Sequence, residues 1–75
     1  MHIRYTGHAL DVLRERKLSK ELVESVILSP EWKEPVSTDV WCGFKRIGQK
    51  VLRVVVKGKR APLIVITAYY DQRKI

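Results

Sequence analysis

Lys50-Val51-Leu52-Arg53-Val54-Val55-Val56-Lys57 is the stretch that decides the fold. Five of its eight residues are apolar and four are valine, whose β-branched side chains fit a pleated strand better than a helix. Gly48-Gln49 before it reads as a turn, and Val40-Trp41-Cys42-Gly43-Phe44-Lys45-Arg46-Ile47 before that as a second strand. After it, Gly58-Lys59-Arg60 marks another turn and Leu63-Ile64-Val65-Ile66-Thr67-Ala68-Tyr69-Tyr70 a third strand. Connections this short cannot hold crossovers, so neighbouring strands run antiparallel as a meander.

Toward the N-terminus the period changes. Thr6 stands at an N-cap position, and Ala9, Leu10, Val12 and Leu13 share one helical face. Ser19 is a second N-cap, followed by the stripe Leu22, Val23, Val26 and Ile27, and Ser29-Pro30 ends that helix. The short His2–Tyr5 segment can serve as an edge strand. The expectation is one α+β domain over residues 1–75: an αα hairpin (7–17 and 20–29) on one face of an antiparallel β-meander (39–47, 50–57 and 62–70).

Alternation assigns faces. With Leu52, Val54 and Val56 toward the helices, Val51, Arg53 and Val55 point away. The same reading turns Val40, Cys42, Phe44, Ile64, Ile66 and Ala68 inward. It leaves Trp41, Lys45, Leu63, Val65, Thr67 and Tyr69 outward with Arg53.

A chain of 75 residues is one small domain, and 45% hydrophobic with 31% charged residues is a globular composition. Its longest apolar runs are too short to cross a bilayer, and no membrane role is expected. The net charge of +7 falls entirely after residue 34. Residues 1–34 balance six Lys/Arg against six Asp/Glu, whereas residues 35–75 hold nine against two. One-sided basic charge is the footprint of a polyphosphate binder, and RNA is the expected partner. A basic surface that holds an acidic protein or RNA without chemistry is the alternative.

The chain shows no phosphate-binding glycine loop, nucleotide fingerprint or nucleophile elbow, and its two histidines and scattered aspartates form no ligand set, so no metal and no cofactor are expected. Cys42 reads as a small buried strand thiol, and a single cysteine with no secretory leader pattern points to the cytoplasm. The outward sheet residues and His8 suit metal-independent RNA cleavage. An imidazole can move the 2′-hydroxyl or leaving-group proton, and Arg53 and Lys45 can stabilise the phosphorane. Tyr69 and Trp41 can stack bases, Thr67 can bond phosphate or ribose, and Arg46 adds a cation to the RNA-binding set.

Gly7-His8-Ala9, Leu13, Glu15-Arg16, Leu18-Ser19 and the helix stop at Ser29-Pro30 resemble the opening of a prokaryotic family catalogued as domain of unknown function 4258. Leu52-Arg53-Val54-Val55-Val56 and Ile66-Thr67-Ala68-Tyr69 resemble its closing signature, so the resemblance spans roughly residues 3–70. The family is similar to RelE-like toxins, among the barnase, colicin and RelE-type ribonucleases. The resemblance implies a RelE-like fold and an endoribonuclease, the toxin half of a toxin–antitoxin pair. Such a protein acts on RNA, free or on the ribosome, and has an acidic antitoxin-like protein as partner, a homodimer being a further option. Carried over by position, it points to His8, Arg16, Arg53, Thr67 and Tyr69. The chain departs from the pattern at Val12, where the family often has arginine, and at Lys17, where it often has glycine.

Overall fold

The computed structural model describes residues 2–71. Strand β1 (Ile3–Tyr5) leads into helix α1 (Gly7–Arg16) and helix α2 (Lys20–Leu28), followed by strands β2 (Trp32–Pro35), β3 (Val40–Ile47), β4 (Lys50–Lys57) and β5 (Leu63–Tyr70). Both helices start where a capping side chain is available. The Thr6 hydroxyl accepts from the Ala9 amide and the Ser19 hydroxyl from the Leu22 amide, each at 3.0 Å. Lys17 ends α1 in the left-handed conformation at φ 56, while the Leu18 amide bonds back to the Leu13 carbonyl, a Schellman stop usually built on glycine. Lysine thus occupies a left-handed position that favours glycine.

The antiparallel meander holds for β3, β4 and β5, but the sheet is larger and mixed, with order β1-β5-β4-β3-β2. β1 pairs parallel with β5, Ile3 opposite Leu63 and Tyr5 opposite Val65. β2 extends the other side, antiparallel to β3. Both helices rest on one face. Each helix makes its main contacts with strands, α1 with β5 and β1, α2 with β4 and β3. Ala9, Leu13, Val23, Val26 and Ile27 close over Leu52, Val54, Val56, Val65 and Ala68. At β3 this approach is close enough that a Cβ on Gly43 would lie 3.3 Å from the Val26 carbonyl oxygen.

The face assignment of β4 holds, and that of β3 is reversed. The two-residue turn pairs Ile47 with Lys50, which sets Lys45 opposite Leu52 and Phe44 opposite Arg53. Directly paired residues share a face, so Trp41 and Lys45 go to the helical side and Cys42, Phe44 and Arg46 to the other. In β5 the register slips by one between Val55 and Val56, leaving Ile66 as an extra residue. Leu63 and Val65 therefore join the helical core, while Thr67 and Tyr69, beyond the bulge, stay on the helix-free face as expected.

Candidate nucleic-acid interface

Four directly paired residues cross the helix-free face in one row: Trp32 on β2, Phe44 on β3, Arg53 on β4 and Tyr69 on β5. Trp32 and Phe44 stack with centroids 5.1 Å apart and planes at 4°. The Arg53 guanidinium lies between the next two rings, 5.3 Å from the Phe44 centroid and 5.6 Å from that of Tyr69. Beneath it, Cys42, Phe44 and Val51 form a second buried cluster, flanked by Trp32 and Val55.

Arg53 is held from several directions. Its Nε donates to Cys42 Sγ at 3.4 Å, and its Nη1 donates to Asp71 Oδ2 at 3.2 Å. Asp71 is itself buried, and its amide donates to the Val51 carbonyl at 2.8 Å, which ties the residue after β5 to β4. Burial works against the guanidinium charge, but the bonds to Cys42 and Asp71 and the nearby Tyr69 outweigh it, so its pKa lies above the ordinary arginine value. Arg53 is a fixed cation that cannot lose its proton, suited to positioning or charge stabilisation only.

The expected site residues divide between two places. Arg46, Arg53, Thr67 and Tyr69 share the helix-free face, with Arg46 opposite Val51 beside the β3–β4 turn. His8 and Arg16 are exposed on α1, in the helical layer. Trp41 and Lys45 are corrected to the helical side; Trp41 packs against the main core, and its Nε1 donates to the Gly58 carbonyl at 2.7 Å. Arg73 and Lys74, counted in the basic half, lie outside the described residues.

One feature brings His8 toward the sheet. β1 pairs only with Leu63–Val65, so on that side the part of β5 from Ile66 to Tyr70 has no strand partner among the described residues. α1 begins where β1 stops: the Thr6 amide donates to the Val65 carbonyl at 3.1 Å and its hydroxyl to the Ile66 carbonyl at 3.4 Å. The first turn of α1, with His8, thus follows directly on the β5 edge at Val65 and Ile66, in the helical layer, while Thr67 and Tyr69 lie further along β5 on the opposite face.

Sequence reasoning missed Trp32 and Phe44 as parts of this row and Asp71 as the partner of Arg53. The β3 register, set by pairing with β4, puts Phe44 on this face, and Asp71 is placed by the β4–β5 pairing, which continues into its amide bond to Val51.

Residues 5–70 match the family model described as Domain of unknown function (DUF4258). The chain belongs to the DUF4258 family. No curated protein and no solved structure matches it. The matched region of this DUF4258 domain contains His8, Arg53, Thr67 and Tyr69, and it ends one residue before Asp71. Among the described residues, no cluster of three or more His, Cys, Asp or Glu is placed to hold a metal ion, and no helix is long and apolar enough to cross a membrane. The chemistry within reach of the site is proton transfer by an imidazole or phenol, hydrogen bonding by a hydroxyl and charge stabilisation by a fixed guanidinium.

Proposed function

We propose that this DUF4258 domain is a RelE-like, metal-independent endoribonuclease, the toxin of a toxin–antitoxin pair, working at the β5 edge. His8 takes the proton from the 2′-hydroxyl, the 2′-oxygen bonds to phosphorus, and the bond to the 5′-oxygen breaks as a proton is delivered to that oxygen. The products are a 2′,3′-cyclic phosphate and a 5′-hydroxyl. Arg53 faces the charge that builds on the phosphorane, Tyr69 supplies the leaving-group proton, and Thr67 bonds phosphate or ribose. Arg46 adds a cation on the same face, and Arg16 would meet RNA that passes over the edge to α1. The observation that carries this reading is the fixed Arg53 guanidinium against the Tyr69 ring, one strand from the unpaired edge where the first turn of α1 begins.

The test is incubation of purified protein with single-stranded RNA, and with RNA on ribosomes, in chelator. Cyclic-phosphate ends are expected. His8→Ala should lower the cleavage rate roughly a hundredfold while affinity for a non-cleavable 2′-O-methyl RNA changes by less than about twofold. RNA left intact by a protein that binds it would favour the other reading, a basic interaction module. That reading draws on the same row, since Asp71 already answers the Arg53 charge.

A further inference from the structure

On the helical side, the end of α2 and the β2–β3 edge enclose a cleft of about 410 Å³ lined by Ile27, Leu28, Lys33, Trp41, Lys59 and Leu63. Leu28 is 55% exposed, and Val36, just past β2, is 56% exposed. They are two of the three large apolar side chains left in solvent among the described residues. β2 is the last strand of the sheet, so its outer edge offers main-chain groups to an added segment. We propose that this cleft docks an acidic peptide segment of a partner protein, with an apolar side chain of that segment seated against Leu28, Ile27 and Leu63.

Charge complementarity selects the acidic character. Both ionisable residues of the lining, Lys33 and Lys59, are cations, and Lys57 and Arg60 flank Lys59 in sequence. The aliphatic lining selects the apolar anchor. RNA fits the same cleft less well, because the Trp41 ring is already used: Lys33 Nζ lies 4.9 Å from its centroid and Nε1 is committed to Gly58. A base stacking there would have to displace the lysine. This inference stands on the cleft alone and gives the acidic partner of the ribonuclease reading a place; it does not rest on RNA cleavage.

The experiment is fluorescence anisotropy of the full chain with a labelled peptide rich in Asp and Glu and carrying two leucines. Saturable binding is expected. Lys33→Glu combined with Lys59→Glu, and separately Leu28→Asp, should each weaken it by roughly tenfold or more. The peptide with serine for both leucines should bind roughly tenfold more weakly, and Arg14→Glu, a charge reversal on exposed α1, should change affinity by less than about twofold. Three results would overturn the proposal: an unchanged affinity in Leu28→Asp, an equal loss in Arg14→Glu, or displacement of the peptide by oligouridylate of matching charge. Leu28 lies outside the proposed catalytic set, so Leu28→Asp should cleave RNA at the wild-type rate and keep the wild-type melting temperature. Loss of peptide binding is therefore distinct from failure of the ribonuclease reading.

Discussion

The two faces of the sheet are closed by different means. On the helical side, twelve buried apolar residues, from Ala9 to Ala68, pack without a charge among them. On the other side, three buried residues, Cys42, Phe44 and Val51, are covered by the Trp32 ring stacked on Phe44 and by Arg53, which is paired with the buried Asp71 carboxylate. Apolar closure depends on volume and shape and is insensitive to charge. Closure by Arg53 and Asp71 depends on geometry and on both groups staying charged, so that face couples stability to whatever binds there. The contrast runs along one strand: Leu52 serves the first face and its neighbours Val51 and Arg53 the second.

The largest expected effect breaks the apolar side. Leu52→Ala opens a cavity beneath the helices and should cost about 2–5 kcal/mol, against about 1–2 kcal/mol for Val51→Ala in the smaller cluster. Urea unfolding followed by circular dichroism checks the order, and equal costs would mean that the two clusters act as one core.

A double-mutant cycle sharpens the polar side. Arg53→Met deprives the buried Asp71 carboxylate of its guanidinium and should cost about 3 kcal/mol. Asp71→Leu should cost less, because the Arg53 side chain keeps 20% exposure and water can take part of the charge. The double variant should be more stable than Arg53→Met alone. Simple additivity would show that the pair carries no coupling.

The smallest effect tests whether the helical side also contains a titrating link. The Tyr5 hydroxyl donates to Glu24 Oε2 at 2.6 Å, and burial first, then that carboxylate, push its pKa well above the ordinary value of 10.0. The folded state then holds a proton that the unfolded chain releases, so this stabilisation is complete below pH 10 and falls as pH rises through the folded pKa. Tyr5→Phe should cost about 1 kcal/mol at neutral pH and flatten the loss of stability above pH 10. Parallel curves for the two proteins would assign the alkaline loss to other groups.

The parts of the fold legible in sequence were those fixed by local chemistry. Thr6 and Ser19 cap, Ser29-Pro30 stops α2, and the valines of β4 alternate because their two faces differ in the company of Arg53. β3 offered no such marker. Trp41, Cys42, Gly43 and Phe44 can all be buried, so only the turn at Gly48-Gln49 and the partner strand decide its faces. β2 was hidden because Trp32-Lys33-Glu34-Pro35 has little strand character of its own and takes its form from β3. The site followed the same division. Arg53, a charge set among valines, stood out in sequence, and Thr67 and Tyr69 kept their face, whereas Asp71 and Trp32 enter through pairing between distant strands.

The parallel pairing of β1 with β5 has a consequence for the order of events during synthesis. Ile3 finds its partner only when Leu63 has been made, about 3–12 s later at 5–20 residues per second. Until then α1, α2 and the β3–β4 hairpin can form from nearby residues, but the β5 edge beside the first turn of α1 does not exist. The β5 edge at which the proposed site lies is therefore assembled after both helices and the β3–β4 hairpin, and the proposed activity would have to wait for it.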